Sequence, residues 1–146
     1  VLSTLHTNDA PSAVTRLVDI GVPHFLLTPS LLIIIAQRLA RKLCVKCKEP
    51  YESAGQMVGD YKIKSDLVYR AKGCEECNHT GYKGRVVIAE VMAINDELRL
   101  LITRAAGYNE IKDAARKNGM DTLFESGMKK VEEGITSLDE VLGITG

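Results

Sequence analysis

The chain has 146 residues, 45% of them hydrophobic, and 19 Lys and Arg offset 19 Asp and Glu, so its formal net charge is zero. That composition excludes a disordered chain, and a sequence of this length buries roughly two-thirds of its unfolded surface around one main core without needing disulfides. Balanced charge supplies no global field to draw in nucleic acid or an anionic membrane, so neither partner is expected.

Residues 1–5 alternate as a strand does, and with Val rather than Met at position 1 the chain reads as a fragment. No basic start, apolar middle and small-residue cleavage site occurs, which points to a cytoplasmic protein. Asn8 or Asp9 is placed to cap a helix with Pro11 in its first turn, Val14, Leu17 and Val18 on one face, and Gly21 as its stop. Thr28-Pro29 repeats that cap-then-proline signal and predicts a second helix through Leu31, Leu32 and Ile35, apolar nearly all round. The longest apolar stretch, residues 25–36, is broken by Thr28, Pro29 and Ser30 and falls short of the ~20 residues that cross a bilayer.

Residues 37–43 are ambiguous by pattern, whereas residues 85–92 (RVVIAEVM) predict a strand. Between them lies a 41-residue insert, 44–84, that holds all four cysteines. The tail predicts helices over 96–106, 109–118 and 121–133, ended by Gly107, Gly119 and Gly134, and a last helix capped by Thr136 or Ser137 and running to Leu142.

Cys44-Val45-Lys46-Cys47 and Cys74-Glu75-Glu76-Cys77 are two CxxC pairs separated by 26 residues, a spacing that lets two tight knuckles give four sulfurs to one tetrahedral ion. Zinc is favoured in a structural role, because a closed four-sulfur shell leaves no position for substrate and the metal would stand in for the core a polar insert lacks. Arg38, Arg41, Lys42, Lys46 and Lys48 sit beside the first pair and can offset the thiolate charge. Two disulfides, a redox-active pair, unconnected thiols and an iron–sulfur cluster are the rival readings. His79 competes as a ligand only if one sulfur is left out, and otherwise reads as an exposed turn residue.

No GxxxxGK[ST] loop occurs, so this chain does not wrap a triphosphate by itself. Residues 86–90 superficially resemble the apolar run and acid of a Walker B strand, and read as a core strand with Glu90 outward. His6 stands at the end of the first predicted strand, where α/β sheets present ligand-contacting groups. Taken alone, it reads as a turn residue.

Together, VLSTLHTNDAPSAVTRLVDIGV, AQRLARKLCVKCK, GCEECNHTGYKGRVVIAEVM and the EEGITSLDEVLGITG tail resemble, in order and over essentially the whole chain, the C-terminal part of the type II secretion and type IV pilus-assembly ATPases. The resemblance implies an α/β fold: the C-terminal fragment of a RecA-like P-loop ATPase domain, with a zinc-binding insert in a β-hairpin and a C-terminal helical bundle. Residues 1–43 and the return strand 85–95 would belong to the ATPase core, 44–84 to the insert and 96–146 to the helical subdomain. It implies that the parent protein is a homo-hexameric ATP hydrolase using ATP and Mg2+, peripheral to the inner membrane and engaged with a platform protein. The fragment alone, lacking Walker A and Walker B, is expected to be inactive and inclined to self-associate.

By the same resemblance His6 lies in a His box near the nucleotide's phosphates, with Ser3, Thr4, Thr7 and Asn8 in the same segment. Arg38, in Gln37-Arg38-Leu39, would be a phosphate-side or interface contact, and Cys44, Cys47, Cys74 and Cys77 the zinc ligands. A zinc-ribbon adaptor that binds protein or nucleic acid is the alternative.

Overall fold

The structure, a computed structural model, describes all of residues 1–146. Asp9 holds extended backbone and its Oδ1 accepts the N–H of Ser12 at 3.0 Å, so helix α1 (Ala10–Asp19) begins at its expected cap with Pro11 in the first turn. Gly21, at φ +95°, follows its end, a conformation that costs glycine little. The strand expected over residues 1–5 is not formed: it pairs with no other strand, and a strand without a ladder has nothing to hold it.

The helix expected through Leu31, Leu32 and Ile35 is also corrected. Helix α2 (His24–Ser30) begins before Thr28 and carries Pro29 inside its last turn. Thr28 does not cap it, because its Oγ1 donates back to the carbonyl of His24 at 3.0 Å. The β-branched run Ile33-Ile34-Ile35 instead opens strand β1 (Ile33–Leu43), which also absorbs the ambiguous residues 37–43.

The insert contributes β2 (Glu49–Glu52), β3 (Met57–Val58), β4 (Tyr61–Lys62) and β5 (Leu67–Arg70), then a 3-10 turn (Glu75–Cys77). Strands β2 and β5 pair antiparallel, with Glu49 opposite Arg70, and β3 pairs with β4 in a short hairpin. Strand β6 (Tyr82–Ala93) contains the expected return strand and pairs with β1 as a two-stranded ribbon. On β6, Ile88, Glu90 and Met92 are buried while Val87, Val91 and Ala93 are exposed, the period of two that a half-buried ribbon requires, and on β1 the buried positions are Ala36, Ala40 and Leu43. Glu90, expected outward, is therefore turned inward.

The tail forms α3 (Asp96–Thr103), α4 (Tyr108–Lys117), α5 (Leu123–Glu132) and α6 (Leu138–Thr145). Asn95 caps α3, and Ser137 rather than Thr136 caps α6 by accepting the N–H of Glu140 at 3.2 Å.

The chain divides into two compact units, Val1–Gln37 with Ala89–Thr122, and Arg38–Ile88 with Leu123–Gly146. In the first, α1 to α4 bury Val14, Leu27, Leu98, Ile102 and Ile111. In the second, the insert folds against α5 and α6 around Ile63, Val68, Met128, Val131 and Val141, with Tyr61 meeting Phe124 edge to face at 5.9 Å. Gly127 permits that packing, since a Cβ there would lie 2.7 Å from Val141 Cγ1. The polar insert thus borrows its core from the end of the chain.

Candidate metal centre and leading segment

The two CxxC knuckles fold alike. The N–H groups of Cys47 and Lys48 turn back to the carbonyl of Cys44 at 3.2 and 3.0 Å, and those of Cys77 and His79 turn back to the carbonyl of Cys74 at 3.2 and 2.8 Å. A bond from Cys44 N–H to the carbonyl of Gly81 at 2.9 Å joins the first knuckle to the chain leaving the second. Gly73 and Gly81 are required here. Both have positive φ, and a Cβ would come within 2.6 Å of the His79 carbonyl oxygen or 2.5 Å of the Ala71 Cβ.

The four sulfurs lie within 4.8 Å of one another, with Cys44 to Cys74 at 3.9 Å, Cys47 to Cys77 at 3.8 Å and Cys74 to Cys77 at 3.7 Å. A tetrahedral shell with metal–sulfur bonds of about 2.3 Å puts its sulfurs about 3.8 Å apart, so this set is sized for one ion. All four thiols are free. His79 is exposed, at φ 59°, outside the cluster.

Burial pushes the Cys47 thiol up to about 12, the three neighbouring thiols adding to the rise while a backbone hydrogen bond from Gly73 opposes it. At Cys77 burial also acts upward, but N–H donors from Cys74 and Gly81, each 3.2 Å from the sulfur, outweigh it and bring the thiol down to about 6. Cys77 thus holds a thiolate readily and Cys47 resists one, and a divalent cation is the charge that would favour the ionised form of both.

Two of the basic residues beside the first pair, Arg41 and Lys48, are engaged with partners on the tail. Arg41 pairs with buried Glu140, its Nε 2.8 Å from Oε2, and stacks 4.2 Å from the Tyr82 ring centre. Lys48 donates to the carbonyl of Gly134 at 2.8 Å and lies 4.2 Å from the Tyr69 ring centre. Both clamp the insert and ribbon to α5 and α6. Lys72 and Lys83 feel the thiols: each is raised chiefly by its partner, Glu49 or Glu76, with Cys47 adding to the rise at Lys72 and Cys44 and Cys74 at Lys83. No spacing rule points to these two lysines, because their positions depend on how the second knuckle folds.

Thr4 and His6 are exposed and Thr7 half-buried, all ahead of α1 in a segment without regular structure. Arg38 is half-buried in β1. No helix is long and apolar enough to cross a membrane.

A family model described as "Type II/IV secretion system protein" matches residues 1–143. The chain is 46% identical to the type IV pilus assembly ATPase PilB of Myxococcus xanthus, the alignment covering 99% of this chain and 27% of that protein. It is 47% identical to the type II secretion system ATPase E of Vibrio cholerae, covering 99% of this chain and 29% of that protein. The chain therefore spans less than a third of the length of these relatives. A crystal structure of the pilus retraction motor PilT with bound ADP superposes with a TM-score of 0.58 over 97% of this chain and 31% of that one, and at 23% identity it shows a shared fold. A match running through both compact units, rather than through the insert alone, does not favour a small zinc-ribbon adaptor. The chain belongs to the type II/IV secretion system protein family.

Proposed function

We propose that this chain is the C-terminal, zinc-binding region of a hexameric cytoplasmic ATPase that powers type II secretion or type IV pilus assembly. The observation that carries the reading is the similarity, across 99% of the chain, to relatives named as a pilus assembly ATPase and a secretion ATPase. In this reading residues 1–43 and 85–95 belong to a RecA-like core, 44–84 form the insert and 96–146 the helical subdomain. ATP and Mg2+ are bound by the parent, His6 with Thr4 and Thr7 faces the nucleotide, and Arg38 lies on the phosphate side or at a subunit boundary. The chain has no GxxxxGK[ST] loop of its own, so hydrolysis requires upstream sequence.

Cys44, Cys47, Cys74 and Cys77 hold the zinc in this proposal. A bound ion there would cross-link the two knuckles and neutralise the thiolates. The chain's own contribution is preorganisation: Gly73 and Gly81 open the turns, the amides of Cys74 and Gly81 donate to Cys77, and Lys72 and Lys83 balance the remaining charge. The separations of 3.7 to 3.9 Å support a single ion over a polynuclear cluster, whose cysteines sit on opposite sides of a larger body.

Two measurements test this reading. Elemental analysis of the purified chain should return one zinc per chain, and absence of metal or a mass showing two disulfides overturns the metal assignment. The reading frame upstream of Val1 should encode a GxxxxGK[ST] loop, and an initiator codon close before Val1 overturns the motor assignment.

A further inference from the structure

Glu90 is the buried acid of the ribbon, 3% exposed, and its Oε1 accepts the N–H of Ala10, the first residue of α1, at 2.7 Å. Beside it Asp9 accepts the N–H of Ser12 at 3.0 Å through Oδ1 and the hydroxyl of Tyr108 through Oδ2. The Tyr108 oxygen in turn accepts from Lys112 Nζ at 3.2 Å, and that ammonium lies 5.4 Å from the ring centre. A helix start leaves its first amides unpaired, and here two are filled by carboxylates from different elements, one of them tied to α4 through Tyr108.

One cap residue would suffice to start α1. A second buried carboxylate is costly unless paired, and this one accepts an amide at the positive end of the helix, close enough to Lys112 for its charge to act there. That arrangement does two things. It uses the amides of Ala10 and Ser12 on the protein's own carboxylates, so a phosphate has to be met by the segment ahead of the helix rather than by the helix terminus. It also fixes the origin of that segment, because Asp9 follows His6 by only three residues, a span of at most about 11 Å.

We propose that Glu90, Tyr108 and Lys112 are positioning residues for the segment carrying Thr4, His6 and Thr7: they lock the first turn of α1 and thereby set where the imidazole of His6 is presented. The catalytic consequence rests on the reading of His6 as nucleotide-facing. The lock itself stands on the contacts above.

The test has two arms. In the isotopically labelled chain, backbone order parameters of Thr7, Asn8 and Asp9 should fall toward the flexible range in Tyr108→Phe and in Glu90→Gln, while amides within α3 stay rigid. In the intact ATPase, Tyr108→Phe should lower kcat about tenfold with KM for ATP changed less than twofold, and should cost nothing further when added to His6→Ala, as expected for two residues acting through one group. Wild-type order in both variants overturns the lock. Full hydrolysis by Tyr108→Phe, or losses that simply add, overturns the positioning role. Full hydrolysis by His6→Ala removes the reading of His6 and the catalytic half of the proposal with it, while the order parameters still decide the lock.

Discussion

The four cysteines and the His6 segment differ in what holds them. Each cysteine sits in a turn closed by its own backbone bonds, and both knuckles come from one stretch of 34 residues, Cys44 to Cys77, whose folded partners α5 and α6 lie in the same unit. Thr4, His6 and Thr7 have no regular structure around them and are anchored only where the chain enters α1. A site whose ligands are spaced along one segment carries its geometry in that segment. In the proposed reading His6 serves a site that draws on several segments, and what this chain shows of it is how the His6 segment is held where it enters α1.

The largest expected effect is loss of one of the four cysteines proposed to hold a metal ion. Cys74→Ser should abolish stoichiometric metal binding and strip hydrogen-exchange protection from the insert, since structural tetrathiolate sites contribute on the order of 10 kcal/mol of folding free energy. A strong chelator should do the same to the unaltered chain. Unchanged protection in both experiments would mean that the borrowed core alone holds the insert. Met128→Ala probes that core directly. Met128 is fully buried between insert and tail helices, so the expected cost is about 3 kcal/mol, read as a shifted denaturant midpoint, and a cost under 1 kcal/mol would show that the site collapses freely.

These two experiments also mark how far the sequence could be read. The CxxC pairs, the return strand at 85–92 and the glycine-ended tail helices were legible because each has a local cause: ligand spacing, β-branched composition, or a cap and a stop. The stretch after Thr28 was misread because Thr-Pro is a helix-start signal in isolation, while Ile33, Ile34 and Ile35 take their strand state from pairing with β6. The segment 1–5 was misread for the converse reason, alternation without a neighbour to pair with. The inward face of Glu90 and the roles of Glu140, Lys72 and Lys83 gave no signal, because they depend on how separate segments fold together. For Glu140 and Arg41 the separation is 99 residues.

Glu140 gives the second unit a pH dependence. Burial acts to raise its carboxyl, but hydrogen bonds from the Arg41 side chain and backbone N–H outweigh it and hold it below its ordinary value of 4.5. A carboxylate depressed in the folded state stabilises fully above its unfolded value, and that contribution is lost as pH falls through the folded one. The clasp between β1 and α6 should therefore weaken below about pH 4.5. Glu140→Gln should cost about 1 to 2 kcal/mol at pH 7, modest because the Arg41 side chain is 57% exposed and screened, and should flatten the acid limb of the melting curve. An acid limb identical to that of the parent chain would assign the acid sensitivity to other carboxylates, Asp9 among them.

The smallest effects set the helix caps of the two units against each other. Asn95 caps α3 through one bond, its Oδ1 accepting the N–H of Leu98 at 2.9 Å, and Asn95→Ala should cost about 1 kcal/mol, the ordinary worth of a cap. Ser137 makes the same bond to Glu140 N–H and a second, 2.6 Å from the Tyr82 hydroxyl, while itself almost wholly buried. Ser137→Ala therefore removes a cap and leaves a phenol without its partner beside the ring on which Arg41 stacks, and its cost should exceed that of Asn95→Ala by about 1 kcal/mol. Adding Tyr82→Phe removes the stranded hydroxyl, so the double variant should recover most of that excess. Equal costs for the two alanine variants would reduce Ser137 to a cap like any other and leave Arg41 and Glu140 as the clasp between ribbon and tail.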